Sequence, residues 1–197
     1  LTTDPVVQGR TIGILGQTWR ATVTPAGDVC PWDDLEAVRW YVAADDRWHV
    51  PADEVAVRQR SIDGAPVLET RVRIPGGDVI QRVWMATGRQ GSSALVMEFE
   101  NDSPMAIAIA IDRQGLLVSR PVAVRSAGGE WPAPGLDIPH EPTVIPVGHR
   151  TSARVALVVS GTVSDLSIAD FADYLPVAEL RSPAWRRPRC PSRSLCK

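Results

Sequence analysis

Apolar and polar residues alternate with a period of two along most of the chain, and this predicts short strands joined by turns. Residues 18–24 (TWRATVT) are β-branched and alternating, and Pro25, Ala26, Gly27 and Asp28 turn the chain. Val38, Trp40 and Val42 share one face of the next strand, with Arg39 and Tyr41 on the other. Val55, Val57 and Gln59 keep the period, with Arg58 and Arg60 opposite. The dipeptide Asp63-Gly64 predicts a tight hairpin into residues 67–74. There Leu68, Thr70, Val72 and Ile74 face one way and Glu69, Arg71 and Arg73 the other. Gly76-Gly77 reverses the chain again into residues 79–86, where Ile80, Arg82 and Trp84 alternate with Val79, Gln81, Val83 and Met85. These three strands form a meander.

Residues 94–100 (ALVMEFE) place Leu95, Met97 and Phe99 on one face and Glu98 and Glu100 on the other. Asn101, Asp102, Ser103 and Pro104 close that strand in a turn. Residues 105–111 (MAIAIAI) carry isoleucine on one face and alanine on the other, a strand buried on both sides with a second layer close to its alanine face. Residues 116–118 and 122–124 are shorter candidates, and residues 153–159 (ARVALVV) are a last strong one. Residues 126–142, rich in Gly and Pro, read as a loop holding Trp131. Only residues 168–175 have helical spacing, with Ser167 as the cap and Pro176 as the stop. About nine or ten strands with turn signals every 8–12 residues predict a mainly β chain, an antiparallel β-sandwich (supersandwich or jelly-roll-like) with a short C-terminal helix. The expected organisation is a sandwich domain over residues 1–165, a helical linker over 166–180 and a tail over 181–197.

Composition changes this picture mainly at the tail. Residues 181–197 hold six basic groups and no acid, which leaves 15 basic against 23 acidic groups in residues 1–180. An acidic body argues against nonspecific nucleic-acid binding. Twenty of the 21 basic residues are arginine, the mark of a GC-rich coding sequence before it is a binding signal. Ser, Pro, Arg and Cys dominate residues 182–197, without any period. GC-rich DNA translated out of frame gives such runs. The expectation is therefore a frame lost near Arg181, or else a disordered basic tail, and a chain cut short. Cys30 stands alone in the body and Cys190 and Cys196 lie in the tail, so no disulfide framework is expected, and a reducing, cytoplasmic setting is. No apolar run reaches the ~18 residues of a membrane span, and residues 1–10 lack the pattern of a secretory signal.

Motifs for chemistry are sparse. His49, His140 and His149 stand at no metal-ligand spacing, and there is no nucleophile elbow, phosphate loop or paired-cysteine zinc pattern. No cofactor or metal is expected, although the Asp33-Asp34 and Asp45-Asp46 pairs would suit loop calcium ligands. Glu98 and Glu100 are the candidate catalytic pair, since glycoside hydrolysis uses two carboxylates. They lie on one strand face ~7 Å apart by the strand rise, so they would point in parallel and not across a substrate. Seven tryptophans outnumber the two tyrosines and two phenylalanines together. Trp40 and Trp84 alternate with apolar neighbours as core residues do. Trp32, Trp48 and Trp131 lie near loops and are the candidate ligand-binding residues, because an indole plane stacks on the apolar face of a sugar ring.

The order of these segments, and above all VMEFENDSP at residues 96–104 followed by the Ala/Ile strand at 106–111, resembles the N-terminal β-sandwich of bacterial six-hairpin (α/α-toroid) glycosidase-like proteins. The resemblance covers residues 8–165. It implies a noncatalytic sandwich packed against a helical catalytic domain that would begin where this chain stops, so no catalytic residue carries over. The severed contact would leave an apolar patch near the final strand and residues 171–180, prone to self-association. A freestanding carbohydrate-binding module and a small sugar-active β-sandwich enzyme are the alternatives. Deleting residues 182–197 is expected to leave the thermal unfolding midpoint almost unchanged, because that segment has no periodic apolar face. A marked fall on truncation would make the tail part of the fold.

Overall fold

The computed structural model describes residues 8–14, 16–33, 35–62, 65–88, 91–120, 141–161 and 166–171. Among these, the predicted alternation becomes thirteen strands, and every pairing is antiparallel. In chain order they are β1 (Arg10–Gly13), β2 (Arg20–Val23), β3 (Val29–Pro31), β4 (Trp40–Ala43), β5 (Trp48–His49), β6 (Val57–Ser61) and β7 (Leu68–Ile74). They continue as β8 (Gly77–Thr87), β9 (Ser93–Asn101), β10 (Ile107–Ile111), β11 (Leu117–Val118), β12 (Thr143–Val147) and β13 (Ser152–Ser160). A six-stranded sheet runs β11-β13-β9-β8-β7-β6 and a four-stranded sheet runs β12-β10-β4-β5. A three-stranded sheet, β1-β2-β3, joins the latter through paired backbone bonds between Val29 and Val38.

The sheets form an antiparallel β-sandwich. Its core takes Leu95, Met97 and Phe99 from β9, Ile107, Ile109 and Ile111 from β10, and Val23 and Val29 from the small sheet. Trp40 and Phe99 meet across it with ring centroids 5.4 Å apart. Trp40 and Trp84 are both core residues, as their spacing predicts. The meander is present: β6 pairs with β7 and β7 with β8, while the Asp63-Gly64 turn itself lies outside the described residues. The second turn is tight, with Gly76 at φ +78, a conformation glycine adopts without strain.

Three expectations are adjusted. On the alanine face of β10, Ala110 is buried and Ala108 half-buried, and among the described residues they pack with Tyr41, Trp48 and Val144 of the same sheet and not with a second layer. The expected helix over 168–175 shows only a 3-10 turn at Ile168–Asp170, and residues 172–175 lie outside the described residues. Asp170 turns its carboxylate back to the Ser167 N–H and hydroxyl, and Phe171 is already extended and buried on the outer face of the six-stranded sheet. The strands β1, β3 and β5 escape the pattern because two to four residues are too few to show a period. The 122–124 strand, the loop with Trp131, His140, Asp34 and the tail lie outside the described residues.

The chain passes from one sheet to the other between β9 and β10, and again between β12 and β13. One side chain holds both passages. Asn101 is fully buried, and its Nδ2 donates to the carbonyls of Met105 (2.7 Å), Val147 (3.2 Å) and Gly148 (3.3 Å). Its Oδ1 accepts from the Ser103 N–H (3.0 Å) and hydroxyl (2.7 Å), and its own backbone N–H donates to Thr151. His149 adds a bond from Nδ1 to the Ser103 carbonyl at 2.9 Å. Asn101→Ala removes five hydrogen bonds from this corner, three of them fully buried, and is expected to cost about 2–4 kcal/mol in urea unfolding. Asp102→Ala, exposed in the same turn, is expected to stay within about 0.5 kcal/mol of the parent.

Candidate functional site

The cavity that gathers aromatic and polar groups lies where the β2–β3 hairpin meets the ends of β9 and β13. Trp19 stands just before β2 and Trp32 just after β3. The Trp32 N–H donates to the Arg20 carbonyl (3.0 Å), which extends the ladder by one step. That step lays the indole back along the hairpin, and its Nε1 donates to Thr22 Oγ1 at 2.8 Å. The ring is therefore fixed although it is 63% exposed. Arg20 Nη1 donates to the carbonyls of Ile14, Gln17 and Trp19 and so shapes the loop before β2. Gln17 Oε1 accepts from the Ser93 hydroxyl at 2.8 Å, which ties this loop to the start of β9.

These contacts enclose an open trough of about 800 Å³, lined by Gly16, Gln17, Thr18, Trp19, Arg20, Trp32, Asp33, Val159 and Ser160. Its size falls within the range of small-molecule sites, roughly 300–1,000 Å³. It offers an indole plane, an amide, a carboxylate and hydroxyls, the groups that sugars use for stacking and hydrogen bonding. The Trp19 Nε1–H is buried and has no hydrogen-bond partner among the described residues.

Of the other predicted aromatic residues, Trp48 is only 8% exposed, packed over Ala43 and Ala110, and presents no platform. Trp131 lies outside the described residues. Proximity to a loop does not distinguish an exposed indole from one folded over its own sheet.

Glu98 and Glu100 lie on the outer face of β9, as the alternation predicts, and both engage arginine. Glu98 Oε1 is 3.0 Å from Arg82 Nη1, Glu98 Oε2 is 2.7 Å from Arg154 Nε, and Glu100 Oε2 is 2.7 Å from Arg82 Nη1. Arg82 also binds Glu69, which binds Arg60. Arg60, Glu69, Arg82, Glu98 and Arg154 are directly opposite one another across β6, β7, β8, β9 and β13. They form an alternating row of charge ending where the Arg154 guanidinium stands 5.6 Å from the Trp84 ring centroid. The two glutamates converge on Arg82 and not on a cavity. Burial pushes the Glu69 carboxyl up, but hydrogen bonds from Arg60 and Arg71 bring it below its ordinary range.

Other titratable groups are similarly committed to structure. His49 is buried, with Nδ1 2.9 Å from Glu54 Oε1 and Nε2 3.0 Å from Asp46 Oδ1. Hydrogen bonds from Arg47 and then from His49 hold the Glu54 carboxyl low against burial. The Cys30 thiol is pushed up, first by burial and then by the Asp28 charge, which keeps it from being a ready nucleophile. No group of three or more metal-ligating side chains occurs among the described residues, and no helix there is long and apolar enough to cross a membrane.

Compared with known proteins, the chain matches no family model, no curated protein and no solved structure. The fold class is that of an antiparallel β-sandwich.

Asp28 supplies a pH-dependent prediction. Burial pushes its carboxyl up to about 6, against the opposing Arg39 charge and a bond from the Trp40 N–H. A folded-state value above the unfolded one means a contribution present below about pH 4 and lost as the pH rises through about 6. Asp28→Asn is therefore expected to stabilise the protein by about 1–3 kcal/mol at pH 7.5 and to give no gain at pH 3.5. Urea unfolding at the two pH values measures this, and an equal effect at both would exclude a titrating Asp28.

Proposed function

We propose that this chain is a noncatalytic β-sandwich domain that recognises carbohydrate at its open end, as part of a glycosidase-like protein. The observation that carries this reading is Trp32, a mostly exposed indole locked to Thr22 on the rim of a trough with polar walls. Leaving an indole in water is unfavourable, and fixing it there removes the entropy that a ligand would otherwise have to remove. A fixed aromatic plane beside an amide, a carboxylate and hydroxyls is how a sugar ring is held, by stacking and by edge hydrogen bonds. The ion pairs of Glu98 and Glu100 favour the noncatalytic side. Both carboxylates are taken up by Arg82 and Arg154 on the outer sheet face and do not face each other across a gap that a glycosidic bond could enter.

The glycosidase-like context rests on the residue 96–104 phrase. In the structure this phrase is the Asn101 corner, a fold-determining feature, so it speaks for the sandwich and not for an activity. A role in carbohydrate metabolism in the reducing cytoplasm, beside a helical catalytic domain, accords with that resemblance.

Affinity electrophoresis through a panel of soluble α- and β-glucans tests the reading. At least one polysaccharide is expected to retard the protein, and Trp32→Ala is expected to weaken that binding about tenfold or more while leaving the circular dichroism unchanged. Retardation by none of them, or the same retardation of the variant, would sink the proposal. No turnover of α- or β-glucosides is expected, and turnover abolished by Glu98→Gln or Glu100→Gln would make the domain an enzyme.

A further inference from the structure

Positive charge accumulates at the β6 edge of the six-stranded sheet, in a body whose acids outnumber its bases. Arg58, Arg60, Arg71 and Arg73 gather there around two carboxylates, Glu69 and Asp78. The other acids of the face, Glu98 and Glu100, stand two strands away on β9 and are shared by Arg82 and Arg154. Among these described groups the arginines exceed the carboxylates by two charges.

The geometry makes this surplus a site and not only a solvated face. Glu69 and Asp78 form a floor, their side chains 2% and 12% exposed, while those of Arg58 and Arg60 reach out with 70% and 67% exposed. Arg58, Gln59, Arg60 and Arg71 enclose with them a pocket of about 420 Å³. Arg60 and Arg71 bind Glu69 through Nε, at 2.8 and 2.9 Å, which orients their guanidinium planes. The contacts of Arg58 Nη2 and Arg71 Nη1 to Asp78, 3.7 and 3.9 Å, are longer than hydrogen bonds, so these donors are placed without being saturated by it.

We propose that this pocket binds a doubly charged tetrahedral oxyanion, a sulfate or phosphate group, clamped by Arg58, Arg60 and Arg71. Forked guanidinium donors match two oxygens of such a group at once, and its two charges match the local surplus. A singly charged planar carboxylate would neutralise half of it. The pocket shares no lining residue with the Trp32 trough, so it stands or falls separately from the carbohydrate reading.

Titration of the intact chain with sodium sulfate, against sodium chloride at equal ionic strength, tests it by NMR of the arginine Nε–Hε signals. Saturable shifts at Arg58 and Arg60 are expected with sulfate only, at a dissociation constant of about 1 mM or tighter. Arg58→Gln with Arg60→Gln is expected to weaken binding at least tenfold, and the double Lys variant nearly as much, because lysine keeps the charge and loses the fork. If the double variant does not fold, Arg58→Gln alone carries the comparison, since that side chain is the most exposed of the four. Parallel titrations with glucose 6-sulfate and glucose 6-phosphate separate an oxyanion carried on a sugar, which binds more tightly than the free ion, from a free ion, which binds equally well. Equal responses to chloride and sulfate, or binding undiminished in the variants, would overturn the proposal. So would shifts caused by a Glu-rich peptide but not by sulfate, which would instead make β6 an edge for strand pairing.

Discussion

The sandwich depends on the buried amide of Asn101. Two crossings between sheets end beside one another, and carbonyls of both, Met105 on one and Val147 and Gly148 on the other, turn toward this amide. The Met105 and Gly148 carbonyls also accept from Ser103 and Thr151, so what the amide adds is the direct link between the two crossings. A single side chain with two donor hydrogens and an acceptor oxygen serves the Met105, Val147 and Gly148 carbonyls and the Ser103 donors together. Aspartate has no donor there, and glutamine is a methylene longer. The amide fixes how β9 and β13 of one sheet lie over β10 and β12 of the other, and hence which side chains meet in the core.

Closing one end of the sandwich in this way leaves the other end for ligands. β9 runs from Ser93 at the trough to Asn101 at the corner, about 26 Å by the strand rise. At the trough end the passages are organised by side-chain hydrogen bonds: Arg20 on three backbone carbonyls and the Ser93 hydroxyl on the Gln17 side chain. The Trp32 indole is held in the same way, by the Thr22 hydroxyl. The division resembles a general one, in which a rigid sheet framework positions loops that do the recognition.

The outer face of the six-stranded sheet shows how register converts scattered charges into a structure. Individually, such pairs at a surface contribute little, often less than about 1 kcal/mol. In a row of five, each carboxylate lies between arginines and each inner arginine between carboxylates, so a change at one is felt by the next. The row ends abruptly. On one side Trp84, Val96 and Ala156 begin an apolar strip over which Phe171 folds, and on the other the arginines of the β6 edge outnumber their partners.

The alternation of residues alone determined the sheet class, the meander from β6 to β8, the inward faces of β9 and β10, and the core positions of Trp40 and Trp84. A period of two leaves little choice once one face must be buried. The turn at residues 101–104 was also legible, because Asn, Asp, Ser and Pro are turn formers. That Asn101 serves two crossovers was not, since its partners Val147 and Gly148 lie some 46 residues along the chain. Nor could sequence separate Trp32 from Trp48. Trp32 follows one short strand and Trp48 opens another, and only the folded chain decides that one indole is pinned outward to Thr22 while the other packs against Ala43 and Ala110. Glu98 was placed on the right face by its period. Its confinement between Arg82 and Arg154 came from strand order and register, which are long-range pairings and leave no local mark in the sequence.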